Sequence, residues 1–283
     1  MQVITQVSEL RQTMQALRCS GKSIGFVPTM GALHEGHLQL LRASVKDNDI
    51  TVCSIFVNPT QFNNPDDYKL YPRTLEADIE LLQTTGCDFI FSPSPEAIYP
   101  QHTMLQFSFG KLEQVMEGAM RPGHFNGVAT IVGKFFNMVQ PHKAYFGQKD
   151  LQQVAIVRQL IVGLGFDIEL VCYPTVREAD GLAMSSRNKR LNAEQRQTAV
   201  SLHEALELAK AQLKTQPVAT IKTAVADYLN NKPEVELEYF EIADPLNLQP
   251  VETIAEGEVA LCIAAFVGPV RLIDNLVVNL TEV

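Results

Sequence analysis

The sequence of 283 residues lacks the features of several protein classes. No apolar run approaches the roughly 18 residues of a membrane-spanning helix, and the first residues contain no basic segment followed by a signal-like apolar stretch. Basic residues number 23 against 32 acidic ones, which gives a formal net charge of −9. This balance argues against a nucleic-acid partner, because such domains usually present a basic surface that neutralises phosphates. We therefore predict a cytoplasmic protein with no membrane or nucleic-acid partner.

The cysteines form no C-x-x-C pair. The five cysteines are Cys19, Cys53, Cys87, Cys172 and Cys262, and most of them have apolar neighbours in the sequence. Scattered thiols in apolar company are typical of reduced, partly buried side chains. We therefore expect neither disulfides nor a cysteine metal site.

A content of 46% hydrophobic and 19% charged residues is ordinary for a globular protein of one or two domains. Alternating strands and helices through about residue 173 predict a doubly wound, Rossmann-like parallel sheet. The predicted strands are 23–27, 50–57, 88–91 and 143–146. The predicted helices are one capped by Ser8 that ends near Gly21, one at 74–82 and one at 128–139.

Pro174 marks a plausible domain boundary, so we predict domains at 1–174 and 175–283. Asn192 and Gln195 resemble a capping box at the start of a long amphipathic helix that runs to about Lys214. A helix at 219–229 and β-rich segments at 237–242, 258–266 and 270–278 follow. The second domain is therefore predicted to be a smaller α+β domain.

A loop with two histidines follows the first predicted strand. The segment 28–37 reads PTMGALHEGH and precedes an apolar-periodic helix. Its glycines let the backbone approach a ligand, and the free N–H groups of a first helical turn attract anions. His34 and His37 would share one face of that turn. The loop is a candidate triphosphate site; a structural loop with incidental histidines is the alternative, and the incomplete H-E-x-x-H pattern argues against zinc.

Two later segments also carry groups that suit anions. The segment 147–153 reads GQKDLQQ, in which Lys149 could hold phosphate and Asp150 could accept from hydroxyl groups or support a metal ion. The segment 185–187 supplies two hydroxyls and a guanidinium. A lone loop lysine is usually solvated, and a serine-arginine turn is often incidental. Neither segment is decisive alone.

Gln61 and an apolar helix are candidates for binding a second substrate. Gln61 follows the strand 50–57, and open α/β sheets bind ligands beyond the carboxyl ends of their strands. Its amide suits hydroxyl or carboxylate groups, although a solvent-facing turn is the alternative. Val128 and Ile131 could line a pocket for an aliphatic group, although core packing is the commoner use of such residues.

The segments together resemble known families. The H-x-G-H of 34–37 and the A-M-S-S-R of 183–187 resemble the nucleotide-binding signatures of the adenylyl-transferring superfamily that includes class I aminoacyl-tRNA synthetases. From about residue 1 to 280 the chain resembles the pantothenate synthetase family, through the motifs PTMGALHEGH, IFVNPTQF, YPRT, RPGHF, FGQKDLQQ, SSRN and RLIDN. Gln148 departs from the glutamate of many members, so its side chain is given no role.

This resemblance implies an ATP-dependent ligase that condenses (R)-pantoate with β-alanine and releases AMP and pyrophosphate. A carboxylate is a poor acyl donor, so its oxygen first attacks the α-phosphorus of ATP. The resulting pantoyl adenylate has AMP as its leaving group when the amine of β-alanine attacks. Mg²⁺ is expected on the triphosphate, held mainly by phosphate oxygens and water, and no protein ligand is named. The resemblance also implies a homodimer.

The resemblance assigns a role to each matching residue. The implied catalytic set is His37, His34, Lys149 and Arg187. The implied ATP-binding set is Met30, Gly31, His34, His37, Gly147, Lys149, Asp150, Val176, Met184, Ser185, Ser186 and Arg187. The implied set for pantoate and β-alanine is Gln61, Gln153, Pro28, Met30, Val128 and Ile131. The domain 1–174 would bind ATP and pantoate, and the domain 175–283 would close over the nucleotide.

Two other functions stay open at this point. An adenylyltransferase that moves AMP onto a phosphate monoester would share H-x-G-H, but it would need basic residues where this chain has Gln61 and Gln153. A non-catalytic nucleotide-sensing module would not require His37. Both alternatives keep the ATP site; the first has a different acceptor for the adenylyl group, and the second transfers no group.

Overall fold

The computed structural model describes residues 1–63, 65–101, 103–254 and 256–281. The strands are β1 (Gln2–Ile4), β2 (Ile24–Thr29), β3 (Ile50–Ile55), β4 (Phe89–Phe91), β5 (Lys143–Gly147), β6 (Glu169–Tyr173), β7 (Val235–Ala243), β8 (Glu258–Val267) and β9 (Val270–Asn279). The helices are α1 (Val7–Cys19), α2 (Glu35–Asp47), α3 (Pro65–Leu70), α4 (Leu75–Gln83), α5 (Pro95–Ile98), α6 (Met116–Met120), α7 (His124–Val139), α8 (Leu151–Leu164), α9 (Ala193–Thr198), α10 (Ser201–Gln212) and α11 (Val218–Asn230). Short 3₁₀ turns lie at Pro59–Gln61, Gly110–Glu113, Gln148–Asp150 and Ser186–Arg190.

The first sheet has six parallel strands in the order β1-β4-β3-β2-β5-β6. From β2 the chain moves outward through β3 and β4, and it then returns to β5 on the other side of β2. The strand order therefore reverses between β2 and β5, and open α/β sheets bind ligands at the crevice outside such a reversal. The histidine loop follows β2 and the Lys149 turn follows β5, so both begin at this crevice.

Helices cover both faces of this sheet. Phe26 and Val52 point toward the core that contains α1, α7 and α8. The next residues along the two strands, Val27 and Cys53, point toward the core that contains α2 and α4. Successive side chains of a strand face opposite sides, which makes both faces apolar. The predicted doubly wound fold is confirmed.

The second sheet is antiparallel, in the order β7-β8-β9. On one face Ile263 packs with Leu206 of α10 and Val225 of α11 in a separate core. On the other face Cys262 and Tyr239 join the core of the parallel sheet. One face of the C-terminal sheet thus packs on α10 and α11, and the other joins the core of the parallel sheet. The expected α+β arrangement is confirmed, whereas the boundary at 174 stays a prediction.

Two helix starts differ from the sequence predictions. Helix α1 begins at Val7 after Gln6, with no side-chain cap, so the prediction of Ser8 as the cap is wrong. Helix α7 begins at His124 rather than at 128, because the N–H groups of a first turn need no intrahelical acceptor and polar residues are tolerated there. Strand β1 and the short helices α3, α5 and α6 were not predicted from the sequence.

The predicted helix from 192 to 214 is interrupted. Its start is as predicted, since Asn192 and Gln195 form a capping box. At Ala199 and Val200 the backbone adopts φ/ψ of −59/−25 and −61/−27, values close to those of a 3₁₀ helix. The N–H of Leu202 accordingly donates to Ala199 O, three residues back. Ala199 is fully buried in the C-terminal core, so packing tightens this turn where local periodicity predicts a regular helix.

No helix in the four described ranges is both long and apolar enough to cross a membrane. All five cysteines lie in those ranges and are free, as expected. Cys53, Cys87 and Cys262 are buried, Cys172 is partly buried, and Cys19 is exposed.

Candidate active site

One cavity lies beyond the carboxyl ends of β2 and β5. All but one of the predicted site residues line it, and these are Pro28, Met30, His34, His37, Gln61, Val128, Ile131, Gly147, Lys149, Asp150, Gln153, Val176, Met184, Ser185, Ser186 and Arg187. The exception is Gly31 of the histidine loop, which is not among the lining residues. The fold therefore brings together three polar segments that are far apart in the sequence.

The histidine loop is anchored by a buried carboxylate that the sequence analysis missed. The backbone N–H groups of Ala32 and Leu33 donate to the two oxygens of Asp78, at 2.9 and 2.8 Å. Asp78 lies on α4 and is only 1% exposed. Gly31 has a φ of +81°, and a Cβ there would lie 2.9 Å from Asp78 Oδ2. The carboxylate therefore approaches a stretch of backbone where a side chain at position 31 would clash.

The two histidine rings meet at the N-terminus of α2. Their centroids are 4.0 Å apart. A Cβ at Gly36 would lie 2.9 Å from His34 Cε1, so the glycine leaves room for this ring against the first turn. The backbone N–H of His34 donates to His37 Nδ1 at 3.3 Å. A nitrogen that accepts cannot carry the proton of a neutral ring, so the His37 proton lies on Nε2.

Both imidazoles are held neutral. Burial, followed by the charge of Lys149, lowers the pKa of His34 to about 4. Burial also holds the pKa of His37 well below its usual range, and His34 and Lys149 contribute to the same shift. Among the described residues His34 Nδ1 has no hydrogen-bond partner, although it is buried. A neutral imidazole carries one N–H group, so each ring offers one N–H donor.

Lys149 lies on the Gln148–Asp150 turn between β5 and α8. Its Nζ lies 3.6 Å from Asp150 Oδ1, and its side chain is 17% exposed. The backbone carbonyls of Gln148 and Lys149 accept hydrogen bonds from Asn275 of β9. This turn is thus held by the C-terminal sheet.

The Ser185–Arg187 segment ends a tight hairpin. The N–H of Met184 donates to Val176 O at 3.0 Å, which brings together two residues of the predicted ATP-binding set. Ser185 caps the following 3₁₀ turn by accepting from the N–H of Arg187 at 3.2 Å. The guanidinium of Arg187 lies 3.5 Å from Asp67 Oδ2. The cation therefore already has a carboxylate partner at the cavity edge.

Asn58 fixes the side-chain amide of Gln61. Asn58 Nδ2 donates to Gln61 Oε1 and to Gly127 O, both at 3.1 Å, and its Oδ1 accepts from the Tyr99 hydroxyl at 2.7 Å. The oxygen end of the Gln61 amide is therefore engaged, and its Nε2 lies 3.2 Å from Met30 Sδ. One amide hydrogen of Gln61 therefore donates to Met30, and the other is left as a donor.

Several residues in and around the site had no predicted role. Tyr71 lines the cavity, and burial raises its pKa although Ser186 hydrogen-bonds to it. Asn58 also lines the cavity. Tyr71 and Asn58 lie within quoted motifs, YPRT and IFVNPTQF, which was the available signal. Asp78 had no such signal, because acidic residues are common in the first turns of helices.

A protein metal centre is not built into the described part of the chain, which contains no group of three or more His, Cys, Asp or Glu residues placed to hold a metal ion. Asp150 is the only carboxylate among the described residues that line the cavity. A metal ion bound here would need most of its ligands from elsewhere.

Comparison with known proteins identifies the family. A family model described as pantoate-beta-alanine ligase matches residues 2–277. The chain belongs to this family. A pantothenate synthetase from Bacteroides fragilis (strain YCH46) is 48% identical over 277 residues, 98% of each chain.

Two solved structures of the ligase family superimpose on nearly the whole chain. The pantothenate synthetase from Thermus thermophilus has a TM-score of 0.91 at 43% identity, over 98% of this chain and 99% of that one. The pantoate-beta-alanine ligase from Francisella tularensis, complexed with beta-gamma ATP and beta-alanine, has a TM-score of 0.81 at 33% identity, over 98% and 97%. The predicted ligase of pantothenate biosynthesis is confirmed, and the adenylyltransferase alternative is not favoured.

Proposed function

We propose that this chain condenses (R)-pantoate with β-alanine in the cavity between β2 and β5, through a pantoyl adenylate. One observation carries the proposal: three segments suited to phosphate and two neutral amides, Gln61 and Gln153, line the same cavity. The Francisella tularensis ligase, complexed with beta-gamma ATP and beta-alanine, supports the ATP and β-alanine parts of the assignment.

In the first step, a carboxylate oxygen of pantoate attacks the α-phosphorus of ATP, and the bond to pyrophosphate breaks. Negative charge then develops on the phosphorus oxygens and on the leaving group. His34 and His37 offer N–H donors, and Lys149 and Arg187 offer positive charge. Good orientation supplies roughly 7–11 kcal/mol of such a barrier, and one oxyanion donor about 3–4 kcal/mol. We assign catalysis to these four groups, with His37 as the main donor.

Neutral imidazoles suit this task. A chain with a net charge of −9 must bring anions together, and Lys149 and Arg187 supply the local positive charge. The histidines then supply directed hydrogen bonds, because a neutral ring has a single N–H group that donates in one direction. Their lowered pKa values keep this state at neutral pH. We assign ATP binding to the same rings together with Met30, Gly31, Gly147, Asp150, Val176, Met184, Ser185 and Ser186.

In the second step, the amine of β-alanine attacks the carbonyl carbon of pantoyl adenylate, and AMP leaves. Gln61 and Gln153 would bind the hydroxyl and carboxylate groups of pantoate, and Gln61 could also help to position β-alanine. The apolar wall formed by Pro28, Met30, Val128 and Ile131 would accept the gem-dimethyl group. Neutral amides at this end suit a carboxylic acid better than a phosphate monoester, which would require cationic partners.

Mg²⁺ would enter with ATP. Asp150 could hold it directly or through water, while the triphosphate supplies most of the ligands, as this reluctantly dehydrated ion prefers. When bound, the ion would neutralise phosphate charge. One carboxylate, as found among the described lining residues, fits such a shared site and does not fit an all-protein cage.

The assembly and location are further proposals. A homodimer rests on the family resemblance alone. A cytoplasmic location is supported by the five free cysteines, because disulfides are rare in reducing compartments. The division at residue 174, with residues 175–283 closing over the nucleotide, is supported by the separate C-terminal sheet.

Pyrophosphate release tests the proposal. The protein is mixed with ATP and Mg²⁺, with or without pantoate, and β-alanine is added afterwards. We expect a stoichiometric burst that depends on pantoate and becomes sustained turnover with β-alanine. Release without pantoate, or no release at all, would contradict the two-step ligase reaction.

A further inference from the structure

Strand β9 meets two of the three phosphate-binding segments through adjacent polar residues. Asp274 and Asn275 belong to the RLIDN motif, to which the reaction assigns no role. They are 4% and 3% exposed, and neither lines the main cavity. The N–H of Asn275 donates to Asp274 Oδ1 at 2.7 Å, which ties the pair together. Buried polar side chains need hydrogen-bond partners, and the partners of these two residues indicate their role.

Asn275 holds the peptide groups on both sides of the Lys149 Cα. Its Nδ2 donates to Gln148 O at 2.9 Å and to Lys149 O at 2.8 Å. Gln148 Nε2 donates in return to Asn275 Oδ1 at 3.3 Å. These carbonyls belong to the peptide planes that precede and follow Lys149, so fixing both planes fixes φ and ψ of Lys149. The Cα–Cβ direction of the lysine is fixed as a consequence.

Asp274 holds the hairpin that leads to Ser185. Its carboxylate accepts from both terminal nitrogens of Arg177, at 2.6 and 2.9 Å. Arg177 also donates to Gly181 O at 3.0 Å within the hairpin, and its backbone bridges to Ala183. The hairpin base is therefore tied to the strand residue next to the one that holds Lys149.

We propose that Asp274 and Asn275 are positioning residues of the ligase reaction. By holding both segments from one rigid strand, they set the position of Lys149 relative to Ser185–Arg187 around the triphosphate. The inference rests on the proposed phosphate-binding role of these segments. It gives the C-terminal sheet a part in adenylate formation although these two side chains lie outside the cavity that binds substrate.

Asn275→Ala is the sharper test of the pair. Removing Asp274 would leave the partly buried Arg177 without its charge partner, which threatens folding. The matched control is Tyr239→Phe, because the Tyr239 hydroxyl donates from the same sheet to Glu117 Oε1 at 2.9 Å, and Glu117 lies outside the three candidate phosphate segments. Asn275→Ser, whose hydroxyl can donate to one carbonyl only, is a second variant if the alanine protein does not fold.

The measurement is the single-turnover rate of pantoate-dependent pyrophosphate release with saturating ATP, Mg²⁺ and pantoate, at a temperature where thermal melts show folded protein. We expect Asn275→Ala to slow this rate on the order of 10- to 100-fold, as small misplacements of reacting groups do. Tyr239→Phe should stay within about twofold of the parent, because it removes one hydrogen bond to Glu117 and none to the backbone of the Lys149 turn. The apparent affinity for pantoate should change by no more than about twofold in either variant, since Gln61 is held elsewhere.

A double-mutant cycle separates positioning from general destabilisation. In a Lys149→Ala background, Asn275→Ala should slow release by less than about threefold, because groups that act through one another are not additive. Equal slowing in both backgrounds, or equal rates for Asn275→Ala and Tyr239→Phe, would overturn the inference. A parental rate for Lys149→Ala would instead overturn the proposed phosphate role of the lysine. A slow Lys149→Ala beside a normal Asn275→Ala would overturn the positioning role alone.

Discussion

The histidine loop and the lysine turn line the same cavity, but different parts of the chain hold them. Asp78 anchors the histidine loop from α4, 46 residues along the chain from Ala32. Asn275 anchors the lysine turn from β9, 126 residues along the chain from Lys149. The first half of the site is therefore complete within one α/β layer, whereas the second half depends on the packing of a separate sheet.

The two halves also differ in charge. Burial keeps His34 and His37 neutral, so the histidine half supplies directed N–H donors. The other half carries Lys149 and Arg187, with Asp150 and Asp67 beside them. Changes in the C-terminal sheet should therefore affect the placement of positive charge and leave the neutral donors in place.

Removing one donor from each half should give the largest effects. We expect His37→Ala and Lys149→Ala each to lower kcat for adenylate formation by about 10²- to 10³-fold, because each removes a preorganised group from the developing phosphate charge. The measurement is pantoate-dependent pyrophosphate release, with thermal melts to check the fold. Near-parental turnover in either variant would remove that half from the catalytic assignment.

Weakening the carboxylate contacts that hold the histidine loop should lower kcat by a smaller factor. Asp78→Asn keeps one acceptor oxygen and loses the other with the charge, so we expect kcat to fall on the order of tenfold as the loop loses its fixed position. Asp88→Asn is the matched control, because Asp88 accepts from the N–H of Thr51 at 2.8 Å in the same layer, away from the loop.

A double variant that changes both anchoring residues tests whether the two halves of the site are independent. Asp78→Asn and Asn275→Ala should multiply in their effects on kcat, since residues that hold separate halves share no partner. A double variant no slower than the slower single variant would show that both anchors act on one element.

The sequence predicts the residues that line the cavity better than the buried residues that hold them in place. Strand, glycine loop and helix start identify the histidine loop, because these signals are local. Asp78 and Asn275 act over long sequence separations, so no local pattern predicts their contacts, although Asn275 lies within the quoted RLIDN motif. The turn at Ala199 escapes prediction for the same reason, since the core that packs around it determines its geometry.

A third imidazole with a lowered pKa should make stability depend on pH. Burial, followed by the charge of Arg121, lowers the pKa of His124 to about 4, while an unfolded histidine titrates near 6.5. Between these values the unfolded chain binds more protons, so stability rises with pH from about 4 to 6.5 and is level above. His34 and His37 act in the same direction.

The contribution of His124 can be isolated by substitution. His124 is 6% exposed, and its Nδ1 hydrogen-bonds to Gln61 O at 2.8 Å. His124→Gln removes the titrating group, so the loss in free energy of unfolding between pH 7 and 5 should shrink by about 2 kcal/mol relative to the parent. Denaturant titrations at both pH values measure this. An unchanged slope would show that the native imidazole is not kept neutral.

The smallest effect is expected at Gln61, which is assigned to pantoate binding rather than to the triphosphate. Asn58 engages its Oε1, so the side chain presents N–H donors. Gln61→Ala should raise the KM for pantoate by about three- to tenfold, the worth of one hydrogen bond. The KM for ATP should stay within about twofold, because the histidine and lysine segments proposed to bind the triphosphate are held by Asp78 and Asn275. Equal increases in both KM values would place Gln61 in the general architecture of the cavity rather than in pantoate binding.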